Sequence, residues 1–279
     1  MIEAQTPGLG PSASRAAMLR RRFLSAVILG PIVVILAWAG GWPFAVLVVV
    51  AGMVMVHEWS RVIDGRGITR DSLLHGAVVL VTAGLALAGY PLLGLVVIGL
   101  GTLAAVRLAT ERHHAAQWPL LGTPYVALPV LSLIWLRQDA VNGARHVIWL
   151  LGVVWVTDTA AFFAGRALGG PKLAPGISPN KTWSGLVGGV IAAGLWGLAV
   201  SVMTADIAAL PLVAFSAALG AWSQVGDLAE SALKRRFGLK DSGTIIPGHG
   251  GLLDRVDGLL FAAPVAALWL VLTGEGALP

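Results

Sequence analysis

SGLVGGVIAAGLWGLAVSVM, residues 184–203, is a run of 20 residues without a charge. A helix rising about 1.5 Å per residue needs roughly 20 apolar residues to cross about 30 Å of hydrocarbon, so this run reads as a transmembrane helix. Moved outward along the chain, the same ruler gives nine spans, at about 23–40, 43–62, 73–89, 91–107, 118–136, 146–165, 184–203, 207–231 and 256–273. Tyr90 alone lies between the third and the fourth, which opens on Pro91, since proline after an apolar run favours a tight turn. The apolar run after Arg20, Arg21 and Arg22 continues past Gly30, which favours a first span over a cleaved secretory signal.

Composition agrees with this reading. The 279 residues are 57% hydrophobic and 12% charged, with a mean hydropathy of +0.82, too apolar for a soluble globular domain. Cysteine is absent, which excludes disulfides and thiolate metal sites. The expected fold is all-α and polytopic, with a cytoplasmic tail at 1–22, five spans within 23–145 and a catalytic region of four spans within 146–279. The net charge of +5 gains meaning from its placement. With the N-terminus in the cytoplasm, 17 of the 19 Lys and Arg residues fall on the cytoplasmic side, leaving only Arg137 and Arg145 outside. That is the positive-inside pattern of a multi-pass inner (cytoplasmic) membrane protein, and no nucleic-acid partner is needed to explain the basic balance. Gly188, Gly189 and Gly194 read as close-packing positions between helices.

The chemistry gathers in the second half. Asp158, Asp227, Glu230, Asp254 and Asp257 lie near the cytoplasmic ends of apolar spans, where a carboxylate needs a cavity, a cation or a partner. At helical spacing Asp227 shares a face with Glu230 and Ser231, with Ser223 and Gln224 a turn earlier. The next segment, KRRFGLKDSGTIIPGHGGLLDRVD (residues 234–257), joins basic residues, a glycine-rich turn and acids. Polyphosphate chemistry needs that mixture: cations against phosphate charge, exposed backbone amides at Gly248, Gly250 and Gly251, and carboxylates for a divalent metal. Alone, Lys234, Arg235 and Arg236 would be an ordinary headgroup-facing cluster; Lys240 and Asp241 beside Gly243 add the phosphate reading. His249, set between glycines, serves either as a hydrogen-bonded structural group or in catalysis. Upstream, residues 165–183 carry three prolines that forbid a continuous helix. Ser178, Asn180, Lys181 and Thr182 there offer donors to phosphate or a base edge beside the N-terminus of the seventh span.

Ser231 to Asp257 resembles the C-terminal signature of the phosphatidate cytidylyltransferases, S-x-[apolar]-K-R-x4-K-D-x-[small]-x2-[apolar]-[PG]-x-H-G-G-[apolar]-x-D-R-[apolar]-D, at every fixed position. Lys172, Leu173, Ala174, Pro175, Ile177, Ser178, Pro179, Lys181, Thr182 and Trp183 resemble a second region of that family, with Asn180 standing where glycine is frequent. The resemblance implies conversion of CTP and phosphatidic acid to CDP-diacylglycerol and pyrophosphate. It implies a need for Mg²⁺, with a second cation such as K⁺ as an option, membrane lipids as surroundings and a homodimer as a plausible assembly. On that basis Asp227 and Asp254 are expected to hold the metal, helped by Asp257 or Glu230. Lys234, Arg235, Lys240, Asp241, His249 and Arg255 are the further catalytic candidates. Asp158, Ser178, Asn180, Lys181, Thr182, Ser231, Gly250 and Gly251 are expected to bind substrate. Two rival readings are a CTP-using polyprenol kinase and an ion-coupled transporter; the transporter would place its acids at the bilayer midplane.

The cysteine-free sequence makes the orientation testable with single introduced thiols. In intact spheroplasts an impermeant maleimide should label Arg145→Cys and spare Lys240→Cys until the membrane is opened; the reverse pattern would invert the topology.

Overall fold

In hydrocarbon every backbone N–H and C=O must find its partner within the chain, and a helix does this locally. The computed structural model describes residues 27–111, 117–204, 208–243, 245 and 250–273, and those residues are overwhelmingly helical. The elements are α1 (Val27–Ala39), α2 (Gly41–Asp64), α3 (Arg70–Leu87), α4 (Pro91–Glu111), α5 (Gln117–Gln138) and α6 (Gly143–Leu168). A hairpin of β1 (Lys172–Ala174) and β2 (Ser178–Thr182) follows, then α7 (Trp183–Thr204), α8 (Ala209–Arg236) and α9 (Leu253–Thr273). Eight of these helices are long and apolar enough to span a bilayer, so this is a polytopic all-α membrane protein. α1 is a shorter apolar helix; the start of the expected first span and the N-terminal tail lie outside the described residues.

Local sequence sets the boundaries. α2 stops at Gly65, whose φ of 67° is left-handed and whose N–H bonds Arg61 O. α3 starts with a capping box in which Thr69 and Ser72 satisfy each other's backbone N–H. Pro91 opens α4, where its missing N–H costs nothing. Pro124 and Pro129 lie inside α5, as membrane helices tolerate when neighbours cover the freed carbonyls.

Two expected boundaries are corrected. α8 runs on to Arg236, so Lys234, Arg235 and Arg236 form its last turn rather than the start of a loop, a placement the helix dipole favours. α9 begins at Leu253 rather than near 256, so Asp254 and Asp257 both sit on its opening turns, one above the other.

Helices α6, α7, α8 and α9 pack in chain order, as do α2 to α5, and α5 joins the two groups through α9 and α6. Small residues make the close approaches. A Cβ on Gly188 would stand 2.5 Å from the Ala164 Cβ and one on Gly189 would stand 2.9 Å from Thr157 O, as expected of packing glycines. Gly194 is looser, with Ala217 at 3.6 Å. Across α8 and α9 a Cβ on Gly226 would meet Asp257 O at 2.6 Å. Indole N–H groups tie the bundle further: Trp149 donates to Ser216 Oγ (3.0 Å), Trp196 to Trp149 O (3.0 Å) and Trp222 to Phe261 O (3.1 Å). Gly226→Ala should therefore lower the thermal unfolding midpoint in detergent, at a cost of about 1–3 kcal/mol. Gly84→Ala, with nothing within 4 Å, should leave the midpoint unchanged or raise it.

Candidate active site

The segment between α6 and α7 is held as a short antiparallel hairpin by its prolines and glycines. Gly169 (φ 62°) and Gly170 (φ 101°) turn the chain out of α6, and Lys172 then pairs with Thr182 and Ala174 with Ser178. Trp183 N donates to Pro171 O (3.1 Å), closing the hairpin's base. Thr182 Oγ1 accepts the Gly185 N–H (3.1 Å) and so caps α7, while Ser184 Oγ donates to Gly169 O. These bonds leave Lys181, between the exposed Asn180 and the buried Thr182, reaching α8.

The Lys181 ammonium bonds Asp227 Oδ2 at 2.6 Å and Gln224 Oε1 at 2.9 Å. Gln224 in turn donates from Nε2 to Asp158 Oδ1 at 2.7 Å, so one amide links an ammonium on the hairpin to a carboxylate on α6. Ser231 Oγ sits 3.4 Å from Asp227 Oδ1, one turn along α8. Asp257 on α9 lies within the electrostatic reach of Asp227, Asp158 and Lys181. The result is a group of three carboxylates with one organic cation, open enough that the Asp227 side chain keeps 31% of its exposure.

A second group lies nearby and is more closed. The Lys234 ammonium meets Glu230, one turn earlier on α8, and Asp254 Oδ1 on α9. The side chains of Glu230 and Asp254 are 1% and 6% exposed, so this cation is what allows two acids to stay inside. Asp254 Oδ2 accepts the N–H of Ser242 (2.9 Å) and of Gly251 (2.8 Å), together with the Ser242 hydroxyl (3.1 Å). Gly250 needs its φ of 85°, and a Cβ there would stand 2.9 Å from Asp254 Oδ2. Glu58 of α2, fully buried, accepts Leu252 N and Leu253 N, each at 2.8 Å, at the start of α9. Tyr125 of α5 packs against Trp59 and Phe261, with its buried hydroxyl unpartnered among the described residues and within the field of Glu230, Asp257, Asp254 and Asp227.

The expected residues thus gather where the C-terminal halves of α6 and α8 meet the opening turns of α9, but divide differently from the sequence reading. Asp227 pairs with Lys181, and Asp254 with Lys234; these two aspartates occupy separate charge groups. Lys234 is a buried counter-ion here, while Arg235, Lys240, Asp241, Asn180 and Arg255 are exposed and Ser178 is half-buried. Gly250 and Gly251 shape the turn around Asp254. His249 and Gly248 lie outside the described residues. Among the described residues no three His, Asp or Glu side chains are placed to hold a metal by themselves. Sequence reasoning missed Glu58 and Tyr125. Glu58 carried a signal, an acid inside the apolar run MVMVHEWS (residues 53–60); Tyr125 carried none.

A sequence description of the cytidylyltransferase family matches residues 20–273. A phosphatidate cytidylyltransferase of Brucella suis is 42% identical over 265 residues, covering 94% of this chain and 96% of that protein. Proteins of the same name are similar over shorter stretches: 38% identity in Rickettsia bellii over 160 residues, and 40% in Staphylococcus saprophyticus over 157. The former covers 55% of this chain and 69% of that protein, the latter 56% and 59%.

The two lysines differ in what they protect. Lys234→Met strands two buried acids and should cost about 3–5 kcal/mol, seen as a large fall in unfolding midpoint. Lys181→Met uncovers a half-exposed carboxylate and should shift the midpoint little. Equal falls would contradict the division into an inner and an outer charge group.

Proposed function

The chain belongs to the cytidylyltransferase family, and on that premise we propose that this nucleotidyltransferase converts CTP and phosphatidic acid to CDP-diacylglycerol and pyrophosphate at the cytoplasmic face of the inner membrane. The single observation that carries the reading is the cluster of Lys181, Gln224, Asp158 and Asp227, built from the hairpin, α6 and α8. A transporter would need its acids near the midplane; Asp158 and Asp227 lie in the C-terminal halves of α6 and α8, the latter ending on the exposed Arg235 and Arg236. Relatives named phosphatidate cytidylyltransferase, matched over almost the whole chain in Brucella suis, favour the lipid acceptor over a polyprenol.

The reaction asks little of a general base. A lipid phosphate monoester is already ionised near neutral pH; one of its oxygens attacks the α-phosphorus of CTP, and the bond to the β-phosphate breaks with its electron pair leaving on pyrophosphate. Alignment and charge neutralisation remain as the protein's work. Arg235 and Lys240, exposed beside the acids, are suited to the triphosphate and the departing pyrophosphate. Lys181 is suited to exchange its carboxylate for a phosphate oxygen when nucleotide arrives, and Ser178 and Asn180 on the same hairpin can donate to it. Ser231 beside Asp227 is placed to join them.

The residues fit Mg²⁺. That ion is usually held by one or two carboxylates together with substrate phosphates, rather than by a cage made wholly of protein. Asp227 already faces a cation in the Lys181 ammonium, with Asp257 in the same field, and meets that description. Asp254 fits less well: Lys234, Ser242 and Gly251 already engage its two oxygens. When bound, Mg²⁺ would supply neutralisation of triphosphate charge and polarisation of the α-phosphoryl group.

Purified protein given phosphatidic acid, Mg²⁺ and CTP labelled at the α-phosphorus should move label into the lipid phase; γ-label should stay in water as pyrophosphate. Label entering lipid from the γ-position would identify a kinase instead. Asp227→Asn should abolish transfer while the protein still inserts, and near-normal turnover would remove Asp227 from the reaction. Arg235→Ala should raise the CTP concentration needed for half-maximal rate, and an unchanged requirement would remove Arg235 from the nucleotide site.

A further inference from the structure

Glu58 stands in α2, remote in sequence from every residue it serves. Its carboxylate is 0% exposed and makes no ion pair among the described residues. Backbone takes the place of a cation. Leu252 N donates to Oε1 and Leu253 N to Oε2, both at 2.8 Å, and the Ser242 hydroxyl lies 3.3 Å from Oε2. Ser242 has one hydroxyl proton and also stands 3.1 Å from Asp254 Oδ2, so it can donate to only one acid at a time. The two amide bonds are therefore the firm contacts. Two glycines rest on this carboxylate: a Cβ on Gly243 would stand 2.7 Å from Oε1, and one on Gly251 would stand 2.8 Å from it.

Burying a carboxylate in an apolar helix is costly, and a neutral residue would serve packing alone. What a carboxylate adds is two strong acceptors at fixed spacing, matched to two successive N–H groups at the start of α9 that have no partner within that helix. The same opening turns carry Asp254 and Asp257, and Asp254 binds the amides of Ser242 and Gly251 on the turn that Glu58 touches. Leu252 and Leu253 thus fix the rotation and height of α9 against α2, and that placement sets where its aspartates meet α8.

We infer that Glu58 is a positioning residue for the transfer reaction: a carboxylate from the N-terminal helices that seats Ser242, Gly243, Gly251 and the first turn of α9, and through them Asp254 and Asp257. The inference rests on the proposed nucleotidyl transfer for its kinetic part only. It also gives the first helices of the chain a role in the chemistry.

Glu58→Gln keeps the volume but offers one oxygen, so one of the two amides faces an NH₂ group. The expected result is a fall in kcat of roughly tenfold to a hundredfold. The KM for CTP should stay within about twofold, since the nucleotide's own contacts remain. The unfolding midpoint in detergent should stay close to wild type. Hydrogen exchange, measured without CTP or lipid, should quicken in residues 242–243 and 250–253 and nowhere else; this arm reports on the seating even if the transfer reading fails. Glu58→Gln combined with Ser242→Ala should lose no more than the weaker of the two single variants, because both act through one turn. Wild-type kcat, exchange quickened through all helices, or losses that multiply would each overturn the inference.

Discussion

A carboxylate at the edge of a bilayer stays charged only with a partner, and this molecule brings six of them together: Glu58, Asp158, Asp227, Glu230, Asp254 and Asp257. How those charges are compensated governs the arrangement of everything near them. Lys234 settles Glu230 and Asp254 inside the helix bundle, backbone amides settle Glu58, and Lys181 reaches in from a hairpin to meet Asp227. Breaking either of the first two leaves a buried acid with no water to turn to, and glycine at 226 lets the backbones of α8 and α9 touch beside them.

The compensation is uneven, and the unevenness is what the proposed reaction uses. The inner group is closed, with Lys234 between its two acids and both Asp254 oxygens engaged, so it works as scaffold. The outer group is half-open, and its cation is a lysine on a hairpin rather than on a helix, a partner able to change acceptors without disturbing the bundle. A triphosphate arriving from the cytoplasm would meet an ammonium to take, carboxylates released for a metal, and exposed Arg235 and Lys240 on its way. In the proposed reaction a lipid phosphate would approach the same place from its leaflet.

Much of this was legible in the chain because membrane helices are written in length and apolarity, two properties that need no tertiary information. The spans, their crowding by glycine at 188 and 189, and the gathering of acids in the second half all followed from that. The pairing of charges did not. Asp227 and Asp254 look equivalent in sequence, and only the three-dimensional placement of Lys181 against one and Lys234 against the other tells an open site from a closed one. The hairpin showed itself through its prolines as a shaped loop, but strand pairing between Lys172 and Thr182 depends on turns whose glycines could serve several shapes. Glu58 was visible as an anomaly in an apolar run, yet its partners lie nearly 200 positions away. Tyr125 is an ordinary aromatic in a span, and its hydroxyl, unpartnered among the described residues, emerges only once α5 meets α9.

The most direct test of the division between an outer and an inner charge group is a structure of the protein with CTP and Mn²⁺, located by anomalous scattering. The account predicts a metal peak in coordination contact with Asp227 and the triphosphate, the Lys181 ammonium moved onto a phosphate oxygen, and Lys234 still between Glu230 and Asp254. A peak lodged at Asp254 with Lys234 displaced, and Lys181 still on Asp227, would contradict it.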